Sequence, residues 1–453
     1  MSIHKFQYKG AYIVVDSESA NFFSSDEIAY RALDYYPKLS RSETAKELSS
    51  QFSEQAVLEA ISEIDELAGQ NKLFSKAEDY SQYSPGSTKA LCLNISHDCN
   101  MACKYCFASG GGFKMKREQM SETIALKAVD YLIKASGSTA SLEIDFFGGE
   151  PLMNLGVLKS TVRYARSQEK KHAKQFRFTL TTNALMLSGE NAAWINENME
   201  NVVLSIDGRQ AVHDAMRPLS SGAPSYSQVA ENITAFVKIR ENKSYYARST
   251  FTRSNLDFSK DVAHLASLGI KNISSEPVAA AKHEAYAIRE GDLGAVFSEY
   301  DALTDIYLAS KGTESSFSFF HFSIDADNEI CMKKRVGGCG AGSEYLAVTP
   351  TGDIYPCHQF IGLEGYCLGN VTVSLPGAIT AKASLQNVGL LGKEECDACW
   401  AKLFCGGGCS ANNLLYEGSA DKPYSIGCEM LKKRLECALY IKTMESEQVY
   451  ASC

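Results

Sequence analysis

Cys99, Cys103 and Cys106 fall within the eight residues CNMACKYC, and three thiols at that spacing can hold metal. Thiolates ligate iron–sulfur clusters, and a cubane held wholly by protein takes four of them. Three local thiolates leave one iron open to a small molecule that brings its own donor atoms. A zinc site is the plain alternative. It wants a fourth donor, for which His97 is the nearby candidate.

Further polar residues cluster downstream at the ends of apolar runs. FFGGEP carries Gly148, Gly149, Glu150 and Pro151, where two glycines let backbone approach a ligand closely or simply make a turn. Thr182 and Asn183 close the run FRFTLTTN. SIDG and HDAMRP supply Ser205, Asp207, His213, Asp214 and Arg217. Alternation along a strand sends Ser205 and Asp207 to one side, although a capped strand end explains the same letters.

The chain holds fifteen cysteines, an odd number. It opens without the apolar run of a secretory signal and contains no apolar stretch of membrane-spanning length, so a cytosolic, reducing location is expected. Disulfides are disfavoured there, and most thiols should be metal ligands. Cys92, Cys367, Cys437 and Cys453 read as incidental small hydrophobes. Seven others form a late series: Cys339, then Cys357 with Gly352 between, then Cys396-x2-Cys399-x5-Cys405-x3-Cys409, and Cys428. Seven exceed one tetrahedral zinc ribbon and fall one short of two closed cubanes. Cys331 is the candidate eighth; otherwise one cluster stays open.

These groups need elements to position them. With 45% hydrophobic and 22% charged residues, the 453-residue chain has the composition of a globular protein with two or three domains. Residues 1–80 read as a hairpin split at Lys9 and Gly10, then three helices: one capped by Ser24 or Ser25, one from near Ser42, and one carrying Val57, Leu58, Ile61, Ile64 and Leu67. That is a winged-helix outline. Its eight basic side chains against fourteen acidic ones, a balance of −6, repel phosphate. The net charge of −9 likewise argues against nucleic acid and an anionic membrane as partners. Peptide binding by strand addition fits the hairpin edge better.

After the linker at 81–89, strands are expected at 90–96, 142–147, 176–182, 202–207, 246–251 and 272–276, with helical stretches between them. Six βα units over 90–315 make a parallel sheet, doubly wound or an incomplete barrel, with chemistry at the C-terminal strand ends. From 320 to 440 the chain turns rich in glycine and cysteine, where metal centres would stand in for a layered core.

The Cys99–Cys106 loop, with Tyr105 before its third cysteine, resembles the signature of the radical S-adenosylmethionine superfamily. In that superfamily three cysteines hold a [4Fe-4S] cluster whose open iron chelates the cofactor, and the cofactor yields a 5'-deoxyadenosyl radical. The resemblance implies a partial (β/α)6 TIM-like barrel. It implies cofactor contacts by Tyr105, Gly148, Gly149, Glu150, Pro151, Asn183, Ser205, Asp207 and Arg217, although Ala184 replaces the glycine of the Thr-Asn-Gly version. The late series resembles the SPASM domain with two auxiliary [4Fe-4S] clusters, making three in all. By that resemblance Cys396, Cys399, Cys405 and Cys428 hold the outer cluster and Cys339, Cys357 and Cys409 the inner one.

Taken whole, the chain resembles peptide maturases that form thioether cross-links in cysteine-rich ribosomal peptides, the SCIFF or ranthipeptide type. That implies a precursor peptide bound through its leader and a low-potential electron donor. Carbon–carbon linkage or oxidation of Ser or Cys to formylglycine is the nearer alternative, and a non-catalytic electron carrier the more distant one. Sulfatase-maturing enzymes carry an acidic residue after the equivalent of Cys357; here His358 stands there.

Overall fold

The computed structural model describes residues 3–324, 332–373, 389–390 and 392–451. Its first sheet has three antiparallel strands in spatial order β1 (Ile3–Tyr8), β2 (Ala11–Asp16) and β3 (Phe22–Ser25). Lys9 and Gly10 both take positive φ, the two-residue turn that suits strand twist in a hairpin. Ser24 and Ser25, expected to cap a helix, belong instead to β3. Helix α1 (Glu27–Ala32) is capped by Asp26, whose carboxylate accepts from the Ala29 N–H. The cap therefore falls at the first side chain past the strand that can reach back to the open N–H groups. Helix α2 (Arg41–Leu48) starts on a Ser40–Glu43 capping box, and α3 (Glu54–Gly69) on Ser53. Val57, Ile61 and Ile64 of α3 share one face and close over Val14, Ala32 and Leu48.

A ten-stranded sheet follows. Its centre is β4 (Ala90–Ser96), β5 (Ser141–Gly148), β6 (Gln175–Thr182), β7 (Asn201–Ser205), β8 (Ser244–Phe251) and β9 (Asn272–Pro277), parallel and adjacent in chain order. Between them run α4 (Glu122–Ala135), α5 (Leu155–His172), α6 (Gly189–Asn198), α7 (Gln210–Met216), α8 (Tyr226–Arg240) and α9 (Phe258–Ser267). Chain-order adjacency without a reversal point is the wall of a barrel, not a doubly wound sheet. The strands alternate accordingly. Leu142, Ile144 and Phe146 of β5 and Phe176, Phe178 and Leu180 of β6 are buried, whereas the residues between them are more open. Buried Arg240 ties two turns together by donating to the carbonyls of Ser244 and Glu200.

The barrel is incomplete. After α10 (Leu293–Ser310), the short β10 (Ser318–Phe319) adds to β9. On the opposite edge, β11 (Tyr345–Val348) runs parallel to β4, and β12 (Asp353–Tyr355) and β13 (Gly369–Asn370) continue antiparallel. The cysteine-rich segment, expected to lack layered structure, thus begins by extending the barrel wall, because the unpaired edge of β4 offers it a template. Helices α11 (Met332–Gly337), α12 (Glu394–Asp397), α13 (Lys402–Cys405) and α14 (Ser410–Glu417) carry the rest, and α15 (Ser425–Ala451) packs along α10 and against β1 to β3. The first sheet is bolted here by a Glu18–Lys402 ion pair of 2.8 Å and by His4 stacked on Trp400 at 4.1 Å. Among the described residues no helix is long and apolar enough to cross a membrane.

Candidate active site

The loop after β4 is fixed by backbone on both sides. The Gly149 N–H donates to the Ser96 carbonyl and the Glu150 N–H to that of Asp98, while Ala102 and Lys104 donate to Pro218 and Met216. A Cβ on Gly148 would lie 2.3 Å from the Ser96 oxygen, and one on Gly149 would lie 2.2 Å from the Asp98 oxygen. Here the two glycines serve the approach of one chain segment to another, and so set where the cysteine loop sits.

Behind the loop lies a buried polar network. The Glu150 carboxylate, fully buried, accepts from the N–H groups of Leu152 and Asn183 and from the Thr182 hydroxyl. Burial still pushes it up to about 7 against these donors. Asn183 donates through Nδ2 to Asn100 at 2.7 Å. The Tyr105 hydroxyl donates to Asp207 Oδ2 at 2.5 Å and accepts from Arg217 Nη1 at 2.8 Å. His213, held near pKa 3 by burial and by Arg217, accepts from the Asp207 N–H and pairs with the Ser225 hydroxyl, which donates to the Arg217 carbonyl.

A cavity of about 450 Å³ joins this mouth to the cysteine-rich segment. Cys99, Cys103 and Cys106 line one side; Cys409, His358, Gln359 and Tyr416 line another. Tyr105, Gly148, Gly149, Asn183, Ser205 and Arg217 are on its wall, whereas Glu150, Pro151 and Asp207 are set behind it. Arg248 and Glu276, at the ends of β8 and β9, also face the cavity, and sequence reasoning passed over both. Arg248 had a signal in the alternation of β8, where Tyr246, Arg248 and Thr250 interleave with buried Tyr245, Ala247, Ser249 and Phe251; β9, buried at Ile273, Ser274 and Ser275 in a row, offers none for Glu276.

A second cavity of about 650 Å³ is lined by Cys396, Cys399, Cys405 and Cys428 together. Cys339, Cys357 and Cys409 form the other late set, each near enough to feel its neighbours' charge. Cys331 lies outside the described residues. Cys92 and Cys437 are buried, the latter beside Tyr8, while Cys367 is exposed. Burial pushes Cys99, Cys357 and Cys428 up to about 12, and a metal bound by their thiolates would displace those protons.

Among the described residues no trio of His, Cys, Asp or Glu converges on a point as a single metal ion requires. His97 is buried against Phe113, both ring nitrogens unpartnered and away from the cavity wall. The thiols stand around open volume instead, which suits a many-atom cluster. Arg217 Nε is buried without a partner beside that volume, a free donor suited to a cofactor carboxylate.

Residues 85–230 match the 4Fe-4S single cluster domain, and residues 339–400 match SPASM, an iron-sulfur cluster-binding domain. On these two domains the chain is similar to radical S-adenosylmethionine enzymes of the SPASM type. It is 23% identical over 376 residues to the radical SAM cyclopropyl synthase TigE of Paramaledivibacter caminithermalis, covering 78% of this chain and 72% of that one. It is 24% identical to a cysteine-type anaerobic sulfatase-maturating enzyme of Clostridium perfringens, over 76% and 94% of the two chains. Native anSMEcpe with bound AdoMet and Cp18Cys peptide shares the fold, with a TM-score of 0.65, 20% identity and coverage of 80% and 99%. Streptococcus suis SuiB bound to precursor peptide SuiA aligns over 93% of this chain and 97% of its own, with a TM-score of 0.52 and 16% identity.

Proposed function

We propose that this enzyme modifies a ribosomally made peptide, forming thioether links between cysteine sulfur and carbon in a cysteine-rich precursor. The observation that carries the reading is one cavity walled by Cys99, Cys103 and Cys106 and by Cys409 and His358. A peptide seated there meets both thiol sets at once. The relatives act in the same direction: SuiB is bound to a precursor peptide and anSMEcpe to a peptide beside AdoMet.

When bound, three [4Fe-4S] clusters and S-adenosylmethionine supply a 5'-deoxyadenosyl radical that takes hydrogen from substrate, together with sinks for the electron left over. The chain's own residues aim and enclose that chemistry. Cys99, Cys103 and Cys106 hold the first cluster; Cys396, Cys399, Cys405 and Cys428 the outer one; Cys339, Cys357 and Cys409 the inner one, with Cys331 its candidate fourth ligand. Arg217, set by Tyr105 and Asp207, holds the cofactor carboxylate, and Asn183 and Ser205 present polar atoms beside it. Residues 1–80, 90–315 and 320–440 act as leader-binding module, radical barrel and cluster domain. The acidic first module binds a leader by strand addition, and a low-potential donor supplies electrons.

Formylglycine formation or another oxidation is the second reading, favoured by the sulfatase-maturating relatives. Against it stands His358, packed on Phe147 at 4.7 Å and pushed down to about 4 by burial. A neutral imidazole packed on an aromatic ring lacks the negative charge of the carboxylate that sulfatase-maturing enzymes carry at this position. The test is anaerobic turnover with a short cysteine-bearing peptide encoded beside the gene. Loss of two hydrogens per link, with fragmentation that locates a sulfur–carbon bond, supports the proposal. An aldehyde or a carbon–carbon bond moves the enzyme to the second reading.

A further inference from the structure

We propose that Lys393 is a buried charge placed to make both auxiliary sites electron acceptors. The inference rests on the cluster assignment above.

Lys393 is 1% exposed, and its ammonium donates to the Gly407 carbonyl at 2.7 Å. Gly407 lies between Cys405 of the outer set and Cys409 of the inner set. The Lys393 carbonyl in turn accepts from the Cys396 N–H at 2.9 Å. Among the described residues it makes no ion pair. Burial pulls Lys393 below the ordinary lysine value, against the fields of Cys396, Cys405, Asp421 and Cys339, which favour its charged form.

An ammonium taken out of water without a carboxylate is expensive, and a methionine would fill the same space without that cost. The missing negative charge is what thiolate-ligated clusters carry. Each electron they accept adds to it, so a fixed cation nearby favours the reduced form. Burial keeps the effect strong. By contrast Lys432, on the rim of the outer cavity with a third of its side chain exposed, is screened. Asp421 is the carboxylate whose field opposes this one at Lys393, and its Oδ1 is buried without a hydrogen-bond partner.

A merely structural Lys393 would act through its hydrogen bond to Gly407. Three full-length variants separate the roles: Lys393→Gln keeps a donor without charge, Lys393→Arg keeps both, and Asp421→Asn removes the opposing charge. Each is reconstituted anaerobically, assayed for iron and sulfide, and titrated with a reductant while electron paramagnetic resonance follows every cluster. Expected for Lys393→Gln is a fall of at least tenfold in the reduced-to-oxidised ratio of both auxiliary clusters at fixed ambient potential, about 59 mV for one electron. Lys393→Arg should stay near wild type, Asp421→Asn should shift the opposite way, and the cluster at Cys99, Cys103 and Cys106 should hold its potential.

Normal iron content with unchanged potentials in Lys393→Gln overturns the inference and leaves the cluster assignment standing. So does an equal shift of all three clusters. If Lys393→Gln fails to load iron, an Asp421→Asn protein with wild-type potentials overturns it instead. A wild-type chain that binds iron only at Cys99, Cys103 and Cys106 defeats the assignment and the inference with it.

Discussion

The barrel-mouth thiols and the late thiols carry the same chemistry on unlike supports. Cys99, Cys103 and Cys106 sit on a loop locked to β5 by Gly148 and Gly149 and backed by buried Glu150, Thr182 and Asn183. The outer set is spread over short pieces: Cys396 on α12 and Cys405 on α13, helices of four residues each, Cys399 in the link between them, and Cys428 in the first turn of α15, with a run of positive-φ glycines, Gly406, Gly407 and Gly408, leading away from α13. Helices that short do not hold themselves together. The fold holds the barrel-mouth loop by its own backbone contacts, whereas the outer thiols rest on short segments, so on the proposed assignment a metal contributes more to the second site than to the first.

Removing iron is the sharpest way to break that contrast. Chelation should unlock residues 392–428, with amide exchange rising by at least a hundredfold there, while β4 to β9 keep their protection. Hydrogen-exchange mass spectrometry reads both regions at once. Equal loosening of the barrel strands would show that the two supports do not differ. Gly149→Ala probes the other side. Its new Cβ would meet the Asp98 carbonyl, so the cysteine loop must move. About four irons per chain, the content of one cubane, should be lost, with the auxiliary iron retained.

The same contrast explains what could be read from sequence. The six parallel strands were legible because apolar runs of strand length alternate regularly with helical stretches, as in LEIDFF and FRFTLTT. The thiol sets were legible because ligand spacing is local. The third strand of the first sheet was not, since Phe22–Ser25 offers four residues and two serines that read equally well as a cap. The attachment of β11 to β4 was hidden too, because a partner some 250 residues away leaves no periodicity behind. Alternation sends Asp207 to the side of Ser205, and the resemblance makes it a cofactor contact; β7 ends at Ser205, and the Asp207 carboxylate accepts from the Tyr105 hydroxyl.

Acid should strain the barrel mouth through His213. An unfolded histidine titrates near 6.5, whereas this one is held near 3, first by burial and then by Arg217. Between those values the unfolded chain binds more protons, so this stability is present above pH 6.5 and is lost as pH falls. The cost at pH 5 is about 2 kcal/mol relative to pH 6.5 and above. Urea midpoints at pH 7 and pH 5 measure it, and His213→Gln should flatten that part of the slope. A variant that keeps the wild-type slope would remove His213 from the acid response.

The smallest expected effect asks whether the barrel mouth is built as finely as its hydrogen bonds suggest. Tyr105→Phe removes a hydroxyl shared by Asp207 and Arg217, but those two already stand 3.8 Å apart and can close directly. The loss should therefore be about 1 kcal/mol, or roughly fivefold weaker binding of S-adenosylmethionine by equilibrium dialysis. Arg217→Met takes away the cation itself and should weaken binding by at least a further tenfold. Unequal effects in that order make Tyr105 a positioning residue and Arg217 the contact. Equal effects would mean that the phenol itself touches the cofactor, and an unchanged Arg217→Met would leave the carboxylate with some other partner, for which Arg248, the other guanidinium lining the same cavity, is the candidate.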